Sequence, residues 1–121
     1  MNESNSQPEK PKEKPLTGQE QYNMLRRCSD NKDITEWNQW RLKNPREEIF
    51  LEGKNFSRYY LKGAYLNTGP VSDDEGTVNN LSGKVHLQKA NFSLAHLEGS
   101  LFHRALLQSG SLKNAYLEDV V

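Results

Sequence analysis

The stretch Leu87-Gln88-Lys89-Ala90-Asn91-Phe92-Ser93-Leu94-Ala95-His96-Leu97-Glu98-Gly99-Ser100-Leu101-Phe102 decides the fold, and it runs on unchanged in character to Leu117. A large apolar residue returns at every fifth position: Leu87, Phe92, Leu97, Phe102, Leu107, Leu112 and Leu117. Two places before each stands Val85, Ala90, Ala95, Ser100, Ala105, Gly110 or Ala115. A fixed internal period sets the architecture before any local propensity does. The apolar positions are spaced two, three, two, three. On a helix they would circle the whole circumference, and on a strand each step of three would change face. A chain that points two residues inward, turns a corner and repeats satisfies the pattern. The step between corners is five residues.

The runs Ala90-Asn91-Phe92-Ser93-Leu94, Ala95-His96-Leu97-Glu98-Gly99 and Ala115-Tyr116-Leu117-Glu118-Asp119 resemble the pentapeptide repeat family, whose units read Ala-(Asp/Asn)-Leu-x-x. Leu51-Glu52-Gly53-Lys54-Asn55-Phe56 is similar, with Lys54 at the usual alanine position. The resemblance implies an all-β, right-handed quadrilateral β-helix of about three coils, four pentapeptides to the coil. It also implies a short N-terminal α-helical cap, because a helix resembling Glu36 to Pro45 often precedes the first coil.

Working outward, residues 1–16 hold three prolines and almost nothing apolar, and are expected to form a disordered leader. Residues 17–48 are expected to form the helical cap. Thr17-Gly18-Gln19-Glu20 has capping-box spacing and opens a helix over about 18–28. Asp33-Ile34-Thr35-Glu36 repeats that spacing, with Ile34, Trp37 and Trp40 on one face beside Arg41, and Asn44-Pro45 ends the segment. The paired tryptophans are read as covering the open end of the coil rather than as a stacking site. Residues 49–121 carry the repeat, interrupted at about 67–80 by a bulging loop of turn formers and acids. Leu81-Ser82-Gly83 is taken to resume the repeat, with an extra residue bulging near Lys84. The expected stacks are then Leu51 with Leu81 and Phe102, Phe56 with Leu87 and Leu107, Leu61 with Phe92 and Leu112, and Leu66 with Leu97 and Leu117.

Sixteen basic and sixteen acidic residues give no net field toward nucleic acid or an acidic membrane. No run is long and apolar enough to span a bilayer, and no apolar segment follows Met1, so a cytoplasmic protein is expected. Single Cys28 offers no intrachain disulfide. His86, His96 and His103 do not share a stack, so no metal centre is expected of them. Asp73-Asp74-Glu75 is read as a solvated turn rather than a calcium loop. The sequons at Asn55, Asn80 and Asn91 are read as by-products of the repeat. No catalytic, cofactor-binding or metal-binding residue is assigned, and no enzyme activity or cofactor is expected.

The expected function is a non-enzymatic protein-interaction or scaffold module with an unidentified protein partner. The resemblance implies an alternative, a DNA mimic that binds DNA gyrase, or else the repeat region of a larger signalling or effector protein. Mimicry needs an acidic surface, and residues 51–121 carry seven acids against seven lysines and arginines. At the C-terminal end the repeat stops within a unit, with no closing element. An uncovered last coil is expected there, met either by further repeats or by end-to-end self-association of two chains.

Overall fold

The computed structural model describes residues 15–73 and 75–121. The expected leader falls mostly on residues 1–14, outside the described residues; Leu16 packs against the core.

Helix α1 spans Gly18–Asn31. Thr17 caps it as its spacing predicts: its Oγ1 accepts from the Glu20 amide at 3.1 Å, and Glu20 Oε1 accepts from the Thr17 amide at 2.9 Å. Lys32, at φ 51°, ends it in the left-handed region. Helix α2 spans Thr35–Lys43. The second capping box is not formed. Asp33 Oδ1 accepts from the Thr35 amide at 2.9 Å, while Glu36 turns away to pair with Arg27 at 2.7 Å. Among the described residues four strands follow: β1 Ile49–Phe50, β2 Gly69–Ser72, β3 Val78–Leu81 and β4 Val85–His86. β1 pairs with β4 in parallel, and β2 with β3 as an antiparallel hairpin.

The expectation of an all-β, three-coil β-helix is corrected. The helices hold 14 and 9 residues, the strands only 2, 4, 4 and 2, in two separate two-stranded sheets. No closed or solenoid sheet forms among the described residues, and the fold is a small mixture of helix and strand. The physical reason lies in the step itself. Every fifth residue takes a positive φ, as at Gly53, Arg58 and Gly63, then at Lys89, Leu94, Gly99 and onward to Asp119. Each sits in a turn closed by an i to i+3 bond, for example from the Lys54 amide to the Leu51 carbonyl at 3.2 Å. Between such turns little extended chain remains, and over most of the length pairing shrinks to isolated parallel bridges.

Those bridges nevertheless stack the chain in tiers. Asn55, Tyr60 and Tyr65 pair with Asn91, His96 and Leu101, while His86, Asn91 and His96 pair with Leu106, Ser111 and Tyr116. The first tier thus covers 49–66, the second 85–102 and the last 105–121. The residues at the five-residue period point inward: Leu51, Phe56, Leu61, Leu66, Leu87, Phe92 and Leu97 are all buried. Phe56 lies flat on Phe92, centroids 4.9 Å apart at 9°.

The stacking expected across the interruption is also corrected. Phe56 stacks on Phe92 rather than Leu87, and Leu51 lies with Leu87, since Phe50 is in register with His86. Leu81 does not resume the repeat. It ends β3 opposite Gly69, so residues 69–81 form a hairpin rather than a loose loop. The repeat resumes at Val85. Gly83 makes the re-entry possible, because any Cβ there would collide with the Glu47 carbonyl.

Candidate interaction surface

The two ends of the stack are built differently. A tier offers backbone donors and acceptors to the tier beyond it, and at the first tier helical side chains take them. Gln21, fully buried, donates through Nε2 to the Glu48 carbonyl at 2.8 Å and accepts through Oε1 from the Phe50 amide at 2.8 Å. Ser29 Oγ accepts from the Tyr60 amide and Asn38 Oδ1 from the Tyr65 amide, each at 2.9 Å. Tyr22 donates its hydroxyl to the Asn55 carbonyl at 2.7 Å. The Trp37 indole donates to the Tyr65 carbonyl at 3.0 Å. Arg41 is buried without a carboxylate partner among the described residues; its guanidinium donates to the carbonyls of Tyr65 and Asn67 at 3.1 and 3.0 Å. Burial pushes its pKa down to about 10. The side chains of α1 and α2 thereby replace a missing tier, as buried backbone groups require.

At the other end nothing among the described residues does this work. The amides of Leu87, Phe92 and Leu97 donate to Leu106, Ser111 and Tyr116. The equivalent amides of Leu107, Leu112 and Leu117 find no acceptor among the described residues, nor do the carbonyls of Ala105, Gly110 and Ala115 find a donor. The apolar floor between them is open. Leu97 is fully buried, whereas Leu112 is 41% exposed, Leu117 42% and Tyr116 50%. Unpaired backbone around exposed apolar side chains is the character of a sheet edge that accepts another chain. The corners around this floor carry Arg104 and Lys113 on one side of charge and Glu118 and Asp119 on the other, all exposed.

The remaining candidates are dispersed. His86 Nε2 lies 2.9 Å from a Glu48 carboxylate oxygen, and its ring stacks on Phe50 at 5.5 Å. His96 is sandwiched between Tyr60 and Tyr116, at 5.4 and 4.3 Å. His103 is on an exposed corner. Among the described residues no three His, Cys, Asp or Glu side chains converge on a point where a metal ion would sit. Cys28 is buried, and burial pushes its thiol pKa up. Asp73 Oδ1 accepts from the amides of Glu75 and Thr77, tying the hairpin turn. Asn55 and Asn91 each accept through Oδ1 from the serine amide two residues on, at 2.9 Å. Trp37 and Trp40 pack together at 5.4 Å, with Trp37 fully buried. Among the described residues no helix is long and apolar enough to cross a membrane.

Gln21 and Arg41 carry the closed end, yet sequence reasoning passed over both. The signal was present in Arg41 standing beside the Trp37 face of α2, a position where a solvated arginine has no reason to be. The chain matches no family model, no curated protein and no solved structure.

Proposed function

We propose that this chain is a non-enzymatic interaction module whose open end, built from Leu107, Leu112 and Leu117 and the backbone around them, receives another polypeptide. The observation that carries the reading is the contrast between the ends. The outward backbone groups of the first tier are taken by Gln21, Ser29, Asn38 and Arg41, whereas the outward amides of Leu107, Leu112 and Leu117 on the last tier have no acceptor among the described residues. A polypeptide laid along that edge would gain main-chain hydrogen bonds and bury the apolar floor together, the mode known as strand addition.

Amide exchange tests it. In dilute solution the amides of Leu107, Leu112 and Leu117 should exchange far faster than those of Leu87, Phe92 and Leu97, and should become protected when the end is occupied. Equal protection of both sets in the dilute chain would mean the end is already closed, and the reading would fall. The DNA-mimic alternative rests on the resemblance alone and is opposed by the even charge of residues 51–121. Inhibition of supercoiling by sub-micromolar protein would promote it.

A further inference from the structure

We infer that the occupant of the open end is a second copy of this chain, seated end to end and antiparallel about a two-fold axis through Ser111. The inference rests on the docking reading above and adds the identity and register of the partner.

In that arrangement, residues equally distant from Ser111 on either side face one another. The Leu112 amide then meets the Gly110 carbonyl of the second copy, the Leu107 amide meets the Ala115 carbonyl, and the Leu117 amide meets the Ala105 carbonyl. All six of these groups lack backbone partners among the described residues. Donor falls on acceptor at each of these three positions, because an antiparallel pair centred on a non-hydrogen-bonded residue exchanges bonds between the residues that flank it. The corner charges obey the same symmetry. Arg104 faces Glu118 of the second copy, and His103 faces Asp119; Lys113 faces neutral Ser109. No like charges are opposed. Among the described residues Arg104, Glu118 and Asp119 have no ion-pair partner within the chain.

The first tier cannot serve as the mating surface, since α1 and α2 already occupy its backbone groups. Head-to-tail growth into a fibre is therefore blocked. The association closes at two copies, as an isologous contact does.

Sedimentation velocity with charge-reversed variants tests the register. The corner positions are exposed, so folding should be unaffected. Arg104→Glu and Glu118→Arg should each raise the dimer dissociation constant at least about tenfold, because each places like charges together twice per dimer. The double variant should recover wild-type association, and so should an equimolar mixture of the two single variants. Ser111→Cys should cross-link to itself under mild oxidation, while the wild-type chain with buried Cys28 should not. A wild-type chain that stays monomeric at its highest soluble concentration overturns the second copy, and leaves the docking reading to the exchange experiment. A dimer indifferent to charge reversal but abolished by Leu112→Lys overturns the register. A dimer indifferent to all of these lies elsewhere and counts against the docking reading as well.

Discussion

Arg41 Nη2 donates to the main-chain carbonyl of Asn67 across 3.0 Å, 26 residues along the chain and in a fully buried setting. It is the only donor that the Asn67 carbonyl has among the described residues, whereas the Tyr65 carbonyl is shared between Arg41 and Trp37. Replacing Arg41 with Met should therefore cost about 1–3 kcal/mol, the penalty of an orphaned buried carbonyl, partly offset by removal of a buried charge. Arg41→Lys should not rescue it, because one ammonium cannot span two carbonyls as the guanidinium fork does. Burial lowers the folded pKa to about 10, below the unfolded value, so the charge costs a constant amount of stability at all lower pH. That cost lessens only as pH rises beyond about 10. Chemical denaturation at neutral pH checks the prediction, and a Met variant as stable as the parent would sink it.

Leu97 and Leu117 occupy equivalent positions in adjacent tiers, one fully buried and the other 42% exposed. Leu97→Ala should cost about 2–5 kcal/mol. Leu117→Ala should cost about 1 kcal/mol in dilute solution, in line with its partial burial. Urea midpoints that coincide for the two variants would show that the last tier is covered in solution.

The Glu98 carboxylate lies 3.5 Å from His96 Nδ1 and 3.9 Å from Lys62 Nζ. Burial raises its pKa, but its own backbone amide, the His96 hydrogen bond and the positive charges of Lys62 and His96 outweigh that and hold it below the ordinary carboxyl value. A carboxyl lowered on folding stabilises the protein above its unfolded pKa, and the benefit is lost as pH falls through the lower folded value. Glu98→Gln should therefore flatten the acid limb of a stability-against-pH curve and leave the neutral region nearly level. Superimposable acid limbs would refute the assignment.

Gly53 holds φ 68°, and a Cβ built there meets nothing within 4 Å. Gly53→Ala isolates the conformational cost of the left-handed corner, about 1 kcal/mol, with no packing change to obscure it. Thermal unfolding reads the difference. An unchanged midpoint would mean that the corner relaxes out of the left-handed region.

The five-residue period made the inward residues of 85–117 legible, because large and small side chains alternate there without exception. The same period misjudged the fold class. It says which side chains face in but not how long the backbone stays extended between corners, and the left-handed residue at every fifth place cuts that to single bridges. The hairpin was illegible for another reason. Asn79 and Asn80 have low strand propensity, and β3 shows no apolar alternation, so residues 78–80 read as loop and Leu81 as the return of the repeat until the pairing with Gly69–Ser72 is seen. Misreading it displaced the first tier by one unit against the second. A helical cap was expected, but its polar contacts escaped, because they are made by Gln21, Asn38 and Arg41, residues that a helical pattern assigns to solvent.

The bond pair that Gln21 makes with Glu48 and Phe50 gives the molecule a direction in time. A ribosome delivers α1 and α2 first, and with them a template whose side chains already present the hydrogen-bonding pattern of a tier. Each later stretch can then dock on the one made before it, so little loop entropy is spent at any step. With no described residue paired to its far side, the last tier should be the first to peel away under force or denaturant, and opening should run from it back toward the helices.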